Sequence, residues 1–562
     1  MEVLSSSFLP KSLQLTKDSL VKFGKKPQTK TKFHYTSPKK TPNQWSLATI
    51  FKSFDDFICT SIDLPLRPSI DPKHVLTGNY SPVHELPPTE CEVVEGFLPS
   101  CLDGAYIRNG SNPQFTPRGP YHLFDGDGML HMIKISKGKA TFCSRYVKTY
   151  KYTIEREIGY TIFPSPFSSF NGFAASMARS VLTVARILTR QFNPVSHGFG
   201  MANISLALIG GQLFALSESD LPYRIKTTSD GDIVTLGRHD FFTDKPFISM
   251  TAHPKIDFET GVAFAFRYHV IRPFLTFFRI DSNGKKQPDV PIYSMKSTSL
   301  VHDLGVTKNY VIFPDIQIVM DPLQIMKGKS PARVDMTKVP RIGIIPKYAK
   351  DESEMWWIEA PGFNMMHCFN AWEEEDEGII VIVASNISAV EQALERVDMA
   401  EMMLEKITIN VKEKTLQRHL LSSKNLEMGC INPAYAGKKN RYVYVSVVSL
   451  PMKLVGVVKL DLSLSSKDFH DCTVAHRQYG PSCSWSGSEP FFVAREPNNP
   501  AAEEDDGYLV AYVHDENTQE SKFLVMDAKS PTLEIISAVK LPGRVPSGFH
   551  GLFVKESDLN KL

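Results

Sequence analysis

Short apolar runs separated by turn-forming residues dominate the chain. They fill residues 80–160 and 200–350, where Gly261 to Phe266 is a typical run, and they return in 376–385, 407–412, 441–460, 508–513 and 523–540. Runs of this length, rich in β-branched and aromatic residues and bounded by Gly, Asp and Pro, predict short β-strands. Because 562 residues are too many for an ordinary sandwich or barrel, the length favours a β-propeller. No sharp internal repeat reveals the number of blades.

Three stretches show helical instead of strand periodicity. Residues 43–62 carry apolar residues at every third or fourth position, and residues 387–407 are amphipathic and charged on one side, as in a lid or surface helix. Residues 174–191 combine an apolar stripe with arginine as the only charged residue, a pattern typical of a helix at a membrane interface. We predict that this helix faces the membrane with Met177, Val181, Val184, Leu188 and Arg186. For 43–62 and 174–191, the alternative is a helix docked on the protein body.

The N-terminal residues differ in composition from the rest of the chain. Residues 1–54 contain ten lysines and two acidic residues, whereas the net charge of the whole chain is only +2. A segment rich in Ser, Thr and Lys without an apolar core is typical of an organelle transit peptide, and the lack of arginine favours the plastid. We therefore predict a disordered plastid transit peptide over 1–45 and a single domain over 46–562 that contains the three helical stretches. The alternative for the first segment is a disordered basic tail.

The composition beyond residue 54 argues against several classes of partner. This part has 53 basic and 59 acidic residues, which argues against nucleic acid as the partner. The eight cysteines form no CxxC pair and no tight framework, as expected of free thiols in a reducing compartment. No GxGxxG motif follows a predicted strand, so neither a nicotinamide nor a flavin cofactor is expected. The sequence contains no run of 18 or more apolar residues, so a transmembrane helix is not expected.

Four histidines that are far apart in the sequence share one local setting. His253, His302, His367 and His550 each end or closely follow a short apolar run and precede a turn-like break. If those runs are strands of one closed β structure, the four imidazoles can converge on a metal such as iron(II), copper or zinc. The chain has 16 histidines and no compact motif such as HExxH, so ordinary core or surface positions are the alternative.

Several longer motifs resemble those of the carotenoid cleavage dioxygenases. They are Asp103 to Gly110, Tyr121 to His131, Glu496-Pro497 with Glu504 to Tyr508, and Arg544 to Gly551, in that order. The similarity extends from about Asp56 to the C terminus. Pro88 to Gly96, Asn432 to Tyr435 and Gly551 to Lys555 are most similar to the plastid type-4 branch of plants. The resemblance implies an all-β, seven-bladed β-propeller with a helical cap over the metal-bearing face.

The resemblance also implies the residues of the site. It identifies His253, His302, His367 and His550 as the ligands of Fe(2+). It places three carboxylates, Glu218, Glu427 and Glu489, where each accepts the outer N–H of one ligand and so fixes its tautomer and ring angle. Ser547, three residues before His550, stands where relatives often have Tyr or another large residue.

The activity implied by the resemblance is oxidative cleavage of a conjugated double bond of a carotenoid or apocarotenoid by O2. Two carbonyl products form without a reducing cosubstrate, and the type-4 branch favours the 9,10 (9′,10′) bond. Such a substrate needs a long apolar tunnel, for which we predict a lining of Phe163, Phe167, Phe170, Phe363 and Phe549. We also expect peripheral contact with plastid membranes, either thylakoids or plastoglobules, in chloroplasts or chromoplasts.

Other functions remain open at this point. The enzyme could cleave 9-cis-epoxycarotenoids at the 11,12 bond, or cleave another carotenoid at the 7,8 or 5,6 bond. A metal-dependent isomerase on the same scaffold would not consume O2. A metal-free propeller that only binds carotenoids would need none of the four histidines.

Overall fold

The computed structural model describes residues 42–562, apart from residues 166, 244–245, 328, 376–377, 395, 397–399, 451, 467 and 498. Within this part, Ala48–Leu562 form one compact unit. The transit peptide predicted over residues 1–45 lies outside the described residues, except for its last four, which begin the first helix.

Antiparallel sheets follow one another along the chain, and five of them have four strands each. We number these sheets 1 to 5 in chain order. Sheet 1 contains Ser205–Ile209, Gln212–Leu216, Tyr223–Thr227 and Ile233–Arg238. Sheet 2 contains Lys255–Ile256, Ala263–Tyr268, Leu275–Ile280 and Val290–Ile292. Sheet 3 contains Gly305–Val306, Tyr310–Asp315, Arg341–Pro346 and Trp356–Glu359, with an inserted ribbon of Ile318–Met320 and Ala332–Val334.

Sheets 4 and 5 are the longest of the five. Sheet 4 contains Met365–Glu374, Ile379–Ile387, Met402–Asn410 and Thr415–Leu420. Sheet 5 contains Leu426–Cys430, Tyr442–Ser449, Lys453–Asp461 and Thr473–Gln478. In all five sheets, strands that follow one another along the chain pair as antiparallel neighbours, apart from the ribbon inserted in sheet 3.

A ten-stranded sheet, which we call the closing sheet, combines strands from both ends of the described chain. Its early strands are Leu86–Gly96, Gly104–Ser111, Gly128–Ser136 and Lys139–Tyr146. Its late strands are Trp485–Gly487, Phe491–Ala494, Gly507–Asp515, Glu520–Asp527, Ile535–Lys540 and Gly551–Lys555. Early and late strands meet twice, with Glu92 opposite Lys540 and Arg108 opposite Gly551. The C-terminal strands are thereby joined to the N-terminal ones by backbone hydrogen bonds.

Helices are concentrated before sheet 1. The N-terminal helix, Pro42–Phe57, continues as a π-helical turn over Ile58–Ile62, and Tyr150–Ile158 and Phe173–Leu188 follow. Phe51 and Ile58 pack on Leu182 of the last of these helices. Four short helices are Pro72–Val75, Pro194–His197, Leu323–Met326 and Glu556–Leu559.

The helix predicted over 387–407 is wrong. The stretch instead spans the connection and part of the second strand of a hairpin of sheet 4, in which Ile387 pairs with Met402 and Ile379 pairs with Asn410. Among its described residues, Val390–Gln392 form a 3₁₀ turn. Leu404, Ile407 and Ile409 are fully buried, so apolar packing selects the strand for the last part of the stretch. Most charged residues of the stretch lie in the connection, of which residues 395 and 397–399 lie outside the described residues, whereas Glu405 and Lys406 lie in the strand Met402–Asn410.

Apolar clusters fill the space between successive sheets. Sheets 1 and 2 share one cluster, sheets 2 and 3 the next, and the pattern continues through sheet 5 to the closing sheet and back to sheet 1. This succession of antiparallel sheets, each packed on its neighbours, confirms the predicted all-β, propeller-like class. Phe363, predicted to line a substrate tunnel, is instead 2% exposed within the apolar cluster between sheets 3 and 4.

Replacing Phe363 by Ala is expected to lower the free energy of unfolding by roughly 3–5 kcal/mol, because the substitution leaves a cavity in a closely packed core. The midpoint of denaturant unfolding measures this effect. The control is Phe258→Ala, at a residue that is 66% exposed, where the change is expected to be within about 0.5 kcal/mol. Equal midpoints for the two variants would contradict the core position of Phe363.

Candidate metal centre

The four histidines all come from the starts of edge strands. His253 lies two residues before Lys255–Ile256 of sheet 2, and His302 three residues before Gly305–Val306 of sheet 3. His367 is the third residue of Met365–Glu374 in sheet 4, and His550 immediately precedes Gly551–Lys555 in the closing sheet. Each of these strands lies at the edge of its sheet, so four different sheets deliver one imidazole each.

The imidazoles converge on one point. One ring nitrogen from each of His253, His302 and His367 lies within 4.8 Å of the others. The ring of His550 completes the set, with its centroid 4.6 Å from that of His253 and 4.9 Å from that of His367. The convergence predicted from the sequence is therefore present in the structure.

Local irregularities of the strands aim two of the side chains. The pairing register of Met365–Glu374 shifts on both sides of Cys368, next to His367. Leu426–Cys430 also shifts between Glu427 and Gly429, where Met428 has a φ of 59°. Such bulges re-aim side chains at strand ends. Here they bring the His367 imidazole and the Glu427 carboxylate, which belong to neighbouring sheets, into contact.

A carboxylate contacts Nδ1 of three of the four histidines. Glu218 contacts Nδ1 of His302, and Glu427 contacts Nδ1 of His367. The two oxygens of Glu489 lie 3.0 and 3.2 Å from Nδ1 of His550. The structure thus pairs all three predicted glutamates with histidines. With Nδ1 as the donor, a neutral ring presents the lone pair of Nε2 to the centre.

The surroundings shift the pKa values of the rings in different directions. Burial lowers the pKa of His253 well below its ordinary value, and the neighbouring histidines lower it further. Burial also lowers the pKa of His367, although Glu427 opposes it. Burial again acts to lower the pKa of His302, but the nearby carboxylates of Glu218, Asp303 and Glu427 act in the opposite direction and the pKa is raised. Because metals bind neutral imidazole, a metal would have to displace a proton from His302 only when that ring is charged.

The arrangement fits a cation at the centre. Nε2 of His302 lies 3.1 Å from Nε2 of His367, so two neutral rings would oppose their lone pairs there. Nε2 of His253 is buried and makes no hydrogen bond to the described residues. A buried polar atom without a partner is costly. A divalent ion bound by the four imidazoles would satisfy both features, and nitrogen ligands suit iron, copper or zinc.

One cavity reaches the centre. It has a volume of about 410 Å³, within the usual range for ligand sites. His302 and Glu218 line it at the histidine centre, whereas Asp55, Cys59 and Arg179 line it among the helices. The same space therefore connects the centre with the helices that precede sheet 1.

The predicted lining residues differ in their positions. Phe163 and Phe167 line the cavity. Phe549 is not among its lining residues but contacts Phe124, which lines it, at a centroid distance of 5.5 Å. Phe170 does not line the cavity. Its backbone lies in a turn with a φ of 73°, where its N–H donates to the Asp63 carboxylate.

The helix Phe173–Leu188 exposes most of its predicted apolar stripe. Val181 is 61% exposed and Leu188 77%, and Met177 and Val184 are also exposed. Arg186 is not on this surface. It is 1% exposed, donates to the Ile162 carbonyl at 3.0 Å and lies 3.4 Å from the Asp55 carboxylate. A guanidinium needs such acceptors, so Arg186 belongs to the face that packs inward.

Several site residues were missed by the reasoning from sequence. The Tyr268 hydroxyl donates to the Glu218 carboxylate at 3.1 Å, and the backbone N–H of His367 donates to the Ser385 hydroxyl at 3.0 Å. His122, which stacks on Phe167, also lines the cavity. His122 lies inside one of the recognised motifs and could have been found there, whereas Tyr268 and Ser385 carry no local signal.

No helix in the described ranges has both the length and the apolar character to cross a membrane.

Comparisons with known proteins agree with this geometry. The sequence model of the retinal pigment epithelial membrane protein family matches residues 80–555. The chain is 58% identical, over 94% of its length and 88% of the relative's, to the "probable carotenoid cleavage dioxygenase 4, chloroplastic" of Arabidopsis thaliana. It is 51% identical to the "9-cis-epoxycarotenoid dioxygenase NCED1, chloroplastic" of Oryza sativa subsp. japonica, over 91% of this chain and 80% of that one.

Solved structures share the fold. The lignostilbene dioxygenase of Pseudomonas brassicacearum superposes with a TM-score of 0.73 at 21% identity, covering 88% of this chain and all of that one. A cobalt-substituted apocarotenoid oxygenase of Synechocystis superposes with a TM-score of 0.68 at 23% identity, over 87% of this chain and 99% of that one. At these identities the likeness shows the fold alone.

Replacing Glu427 by Gln is expected to lower the affinity for iron(II) about 10–100-fold, because the carboxylate that orients His367 loses its charge. Anaerobic equilibrium dialysis with metal analysis measures this affinity. The control is Glu504→Gln, at a carboxylate that accepts the Arg441 and Tyr442 N–H groups at 2.7 Å, away from the centre. An unchanged affinity in Glu427→Gln would contradict the orienting role.

Proposed function

Because the chain belongs to the carotenoid cleavage dioxygenase family, we propose that its four histidines bind iron(II) and that it cleaves a carotenoid or apocarotenoid with O2. The observation that carries this proposal is the convergence of His253, His302, His367 and His550, three of them in contact with glutamates, at a cavity. Iron(II) bound there would supply the one-electron chemistry that O2 needs to react with an alkene.

The reaction balances without a cosubstrate. One carbon–carbon double bond of the polyene breaks, and each of its carbons forms a carbonyl with one atom of O2. The alkene supplies all the electrons, and no proton enters or leaves. This balance agrees with the lack of a nicotinamide or flavin fingerprint in the sequence.

The chain itself positions the reactants. Glu218, Glu427 and Glu489 would hold His302, His367 and His550, respectively, in one tautomer and supply negative charge around a dication. The aromatic side chains of Phe124, Phe163 and Phe167 line the cavity, so an apolar polyene can replace water there. Fixing one bond of a long conjugated chain beside the metal is the positioning that such a cleavage requires.

We propose the 9,10 (9′,10′) bond as the site of cleavage. The motifs of the type-4 branch in the sequence support it. The alternative cleavages are those in the names of two other relatives, one a dioxygenase of 9-cis-epoxycarotenoids and one that cleaves zeaxanthin at the 7,8 (7′,8′) bond. Since the products of each cleavage differ in mass, the bond can be read directly from them.

We also propose that the fold is a seven-bladed propeller with a helical cap over the metal-bearing face. Sheets 1 to 5 would be five blades, and the closing sheet would divide between Ile535–Lys540 and Leu86–Gly96 into two more. The cap is supported by the cavity, which is lined both by His302 and by Asp55, Cys59 and Arg179 from the helical region.

The chloroplastic relatives place the enzyme in plastids. We propose that its exposed helices bind the surface of a thylakoid or plastoglobule. Phe54 and Phe57 of the N-terminal helix are exposed, as are Val181 and Leu188 of Phe173–Leu188. Arg179, in contrast, pairs with Asp55 and Asp63 at 3.1 and 3.0 Å. Because this charge and that of Arg186 are neutralised within the protein, apolar burial would dominate the binding.

Mixing the anaerobically iron-loaded full chain with O2 and β-carotene or zeaxanthin in detergent is expected to give two carbonyl fragments whose masses identify the cleaved bond. His302→Ala is expected to abolish both fragments, because it removes a metal ligand. His476→Ala, at an exposed histidine of sheet 5, is the control that should retain activity. Intact carotenoid with bound iron would refute these substrates, and a lack of iron would refute the proposal itself.

A triple variant of Val181, Val184 and Leu188 to Asp is expected to lose binding to neutral liposomes, because three charges would have to enter the lipid. Flotation measures this binding. Wild-type flotation is expected to stay nearly constant between low and high salt, since apolar burial is not screened. A matched variant with Val234 and Leu236, exposed in sheet 1, changed to Asp should still float. Flotation of the triple variant would contradict the membrane surface.

A further inference from the structure

A buried carboxylate connects the segments that carry three of the histidines. Asp303 directly follows His302, and its side chain is 2% exposed. Its Oδ2 accepts the Lys255 ammonium at 2.9 Å and the backbone N–H of Cys368 at 2.8 Å. Its other oxygen, Oδ1, accepts the N–H of Leu304 at 2.7 Å. One side chain of sheet 3 is therefore bonded to both neighbouring sheets.

The Lys255 ammonium adds a direct bond between the segments of His253 and His367. It also donates to the carbonyl of Cys368 at 2.9 Å, so Lys255 and Asp303 each bond to the same residue of sheet 4. Lys255 lies two residues after His253, and Cys368 lies one residue after His367. We call the Asp303, Lys255 and Cys368 contacts the clamp. Every bond of the clamp joins two segments that carry different histidines.

The position of the clamp matters because the three segments belong to different sheets. They lie at sheet edges, and the described structure shows no strand pairing between sheets 2, 3 and 4. Nε2 of His302 lies 3.1 Å from Nε2 of His367, so two neutral rings would oppose their lone pairs unless a cation lay between them. Two lone pairs that face each other repel and would push the segments that carry the histidines apart. Charge-assisted hydrogen bonds are strong enough to hold these segments together, particularly where water is excluded.

We propose that Asp303 and Lys255 are positioning residues that preset the spacing of His253, His302 and His367 before the metal binds. This inference rests on the proposed function only in requiring that a metal occupies the centre. Neither residue needs to touch the metal. Their effect is to reduce the rearrangement that accompanies binding, so that more of the binding free energy appears as affinity.

The competing account is an ordinary ion pair, here between the buried Asp303 and the 30% exposed Lys255 side chain, that stabilises the fold and leaves the centre unaffected. The chain contains a close match for this account. Lys459 lies 2.6 Å from Asp505 and donates to the carbonyl of Ala528 at 3.0 Å. Like Lys255, it thus joins a carboxylate and a backbone carbonyl, but none of its partners adjoins a ligand histidine.

Three variants of the full chain, Lys255→Met, Asp303→Asn and Lys459→Met, test the inference. The metal-free proteins are titrated anaerobically with cobalt(II), whose visible absorption reports coordination geometry. The affinity comes from competition with a chelator. Thermal unfolding of the metal-free proteins measures fold stability separately. Lys255→Arg, which keeps the charge and the donors, serves as the conservative variant.

Lys255→Met and Asp303→Asn are expected to weaken cobalt binding about 10–100-fold and to change the absorption spectrum. Lys255→Arg should restore most of the affinity. Lys459→Met should lower the unfolding temperature but keep the affinity and spectrum of the wild type. If Asp303→Asn does not fold, the comparison of Lys255→Met with Lys459→Met decides.

The inference is overturned if Lys255→Met binds cobalt within twofold of the wild type, or if Lys459→Met loses as much affinity as Lys255→Met. If the wild type binds less than one equivalent, the four-histidine metal site itself is refuted, and the proposed function fails with it. Wild-type binding with unaffected clamp variants refutes only the positioning role.

Discussion

Antiparallel pairing between the two ends of the described chain is the constraint on which the centre depends. His550 immediately precedes the strand Gly551–Lys555, which pairs with Gly104–Ser111, and its carbonyl accepts the Asn109 N–H at 3.0 Å. The other three histidines come from consecutive sheets in the middle of the chain. Without the closing sheet, the fourth imidazole would have no fixed relation to them, and the metal would have three ligands. Closure of the fold and completion of the site therefore depend on the same strand pairing.

Much of this could be predicted from sequence because it depends on local patterns. Short apolar runs between turn residues predicted the strands, and the motif resemblance identified His253, His302, His367 and His550 with their carboxylates. The sequence alone did not bring the histidines together, since each lies in an unremarkable strand start. Their convergence depends on the order of sheets and on the pairing of the chain ends, neither of which leaves a local pattern.

The errors have a common physical origin. Arg186 and Phe363 were assigned from residue type, yet the environment of each is set by a partner distant in sequence. Asp55 and the Ile162 carbonyl hold Arg186 inside, whereas the apolar cluster between sheets 3 and 4 encloses Phe363. The charge pattern of residues 387–407 predicts a helix, but most of these charged residues lie in a connection between paired strands. Local periodicity does not predict secondary structure or burial correctly where contacts with distant parts of the chain determine them.

A network of ion pairs centred on Asp55 links the helices before sheet 1 to the cavity. Asp55 of the N-terminal helix lines the cavity and binds both Arg179 and Arg186, while Cys59 and Arg179 line it beside Asp55. Because Arg179 and Arg186 point inward, the exposed side of the helix Phe173–Leu188 presents mainly apolar side chains. The inward side of the helices presents polar, paired side chains to the cavity. An apolar ligand that enters the cavity beside these residues would therefore meet fixed, paired charges. Because those charges are already paired, they need no rearrangement when an apolar substrate displaces water beside them.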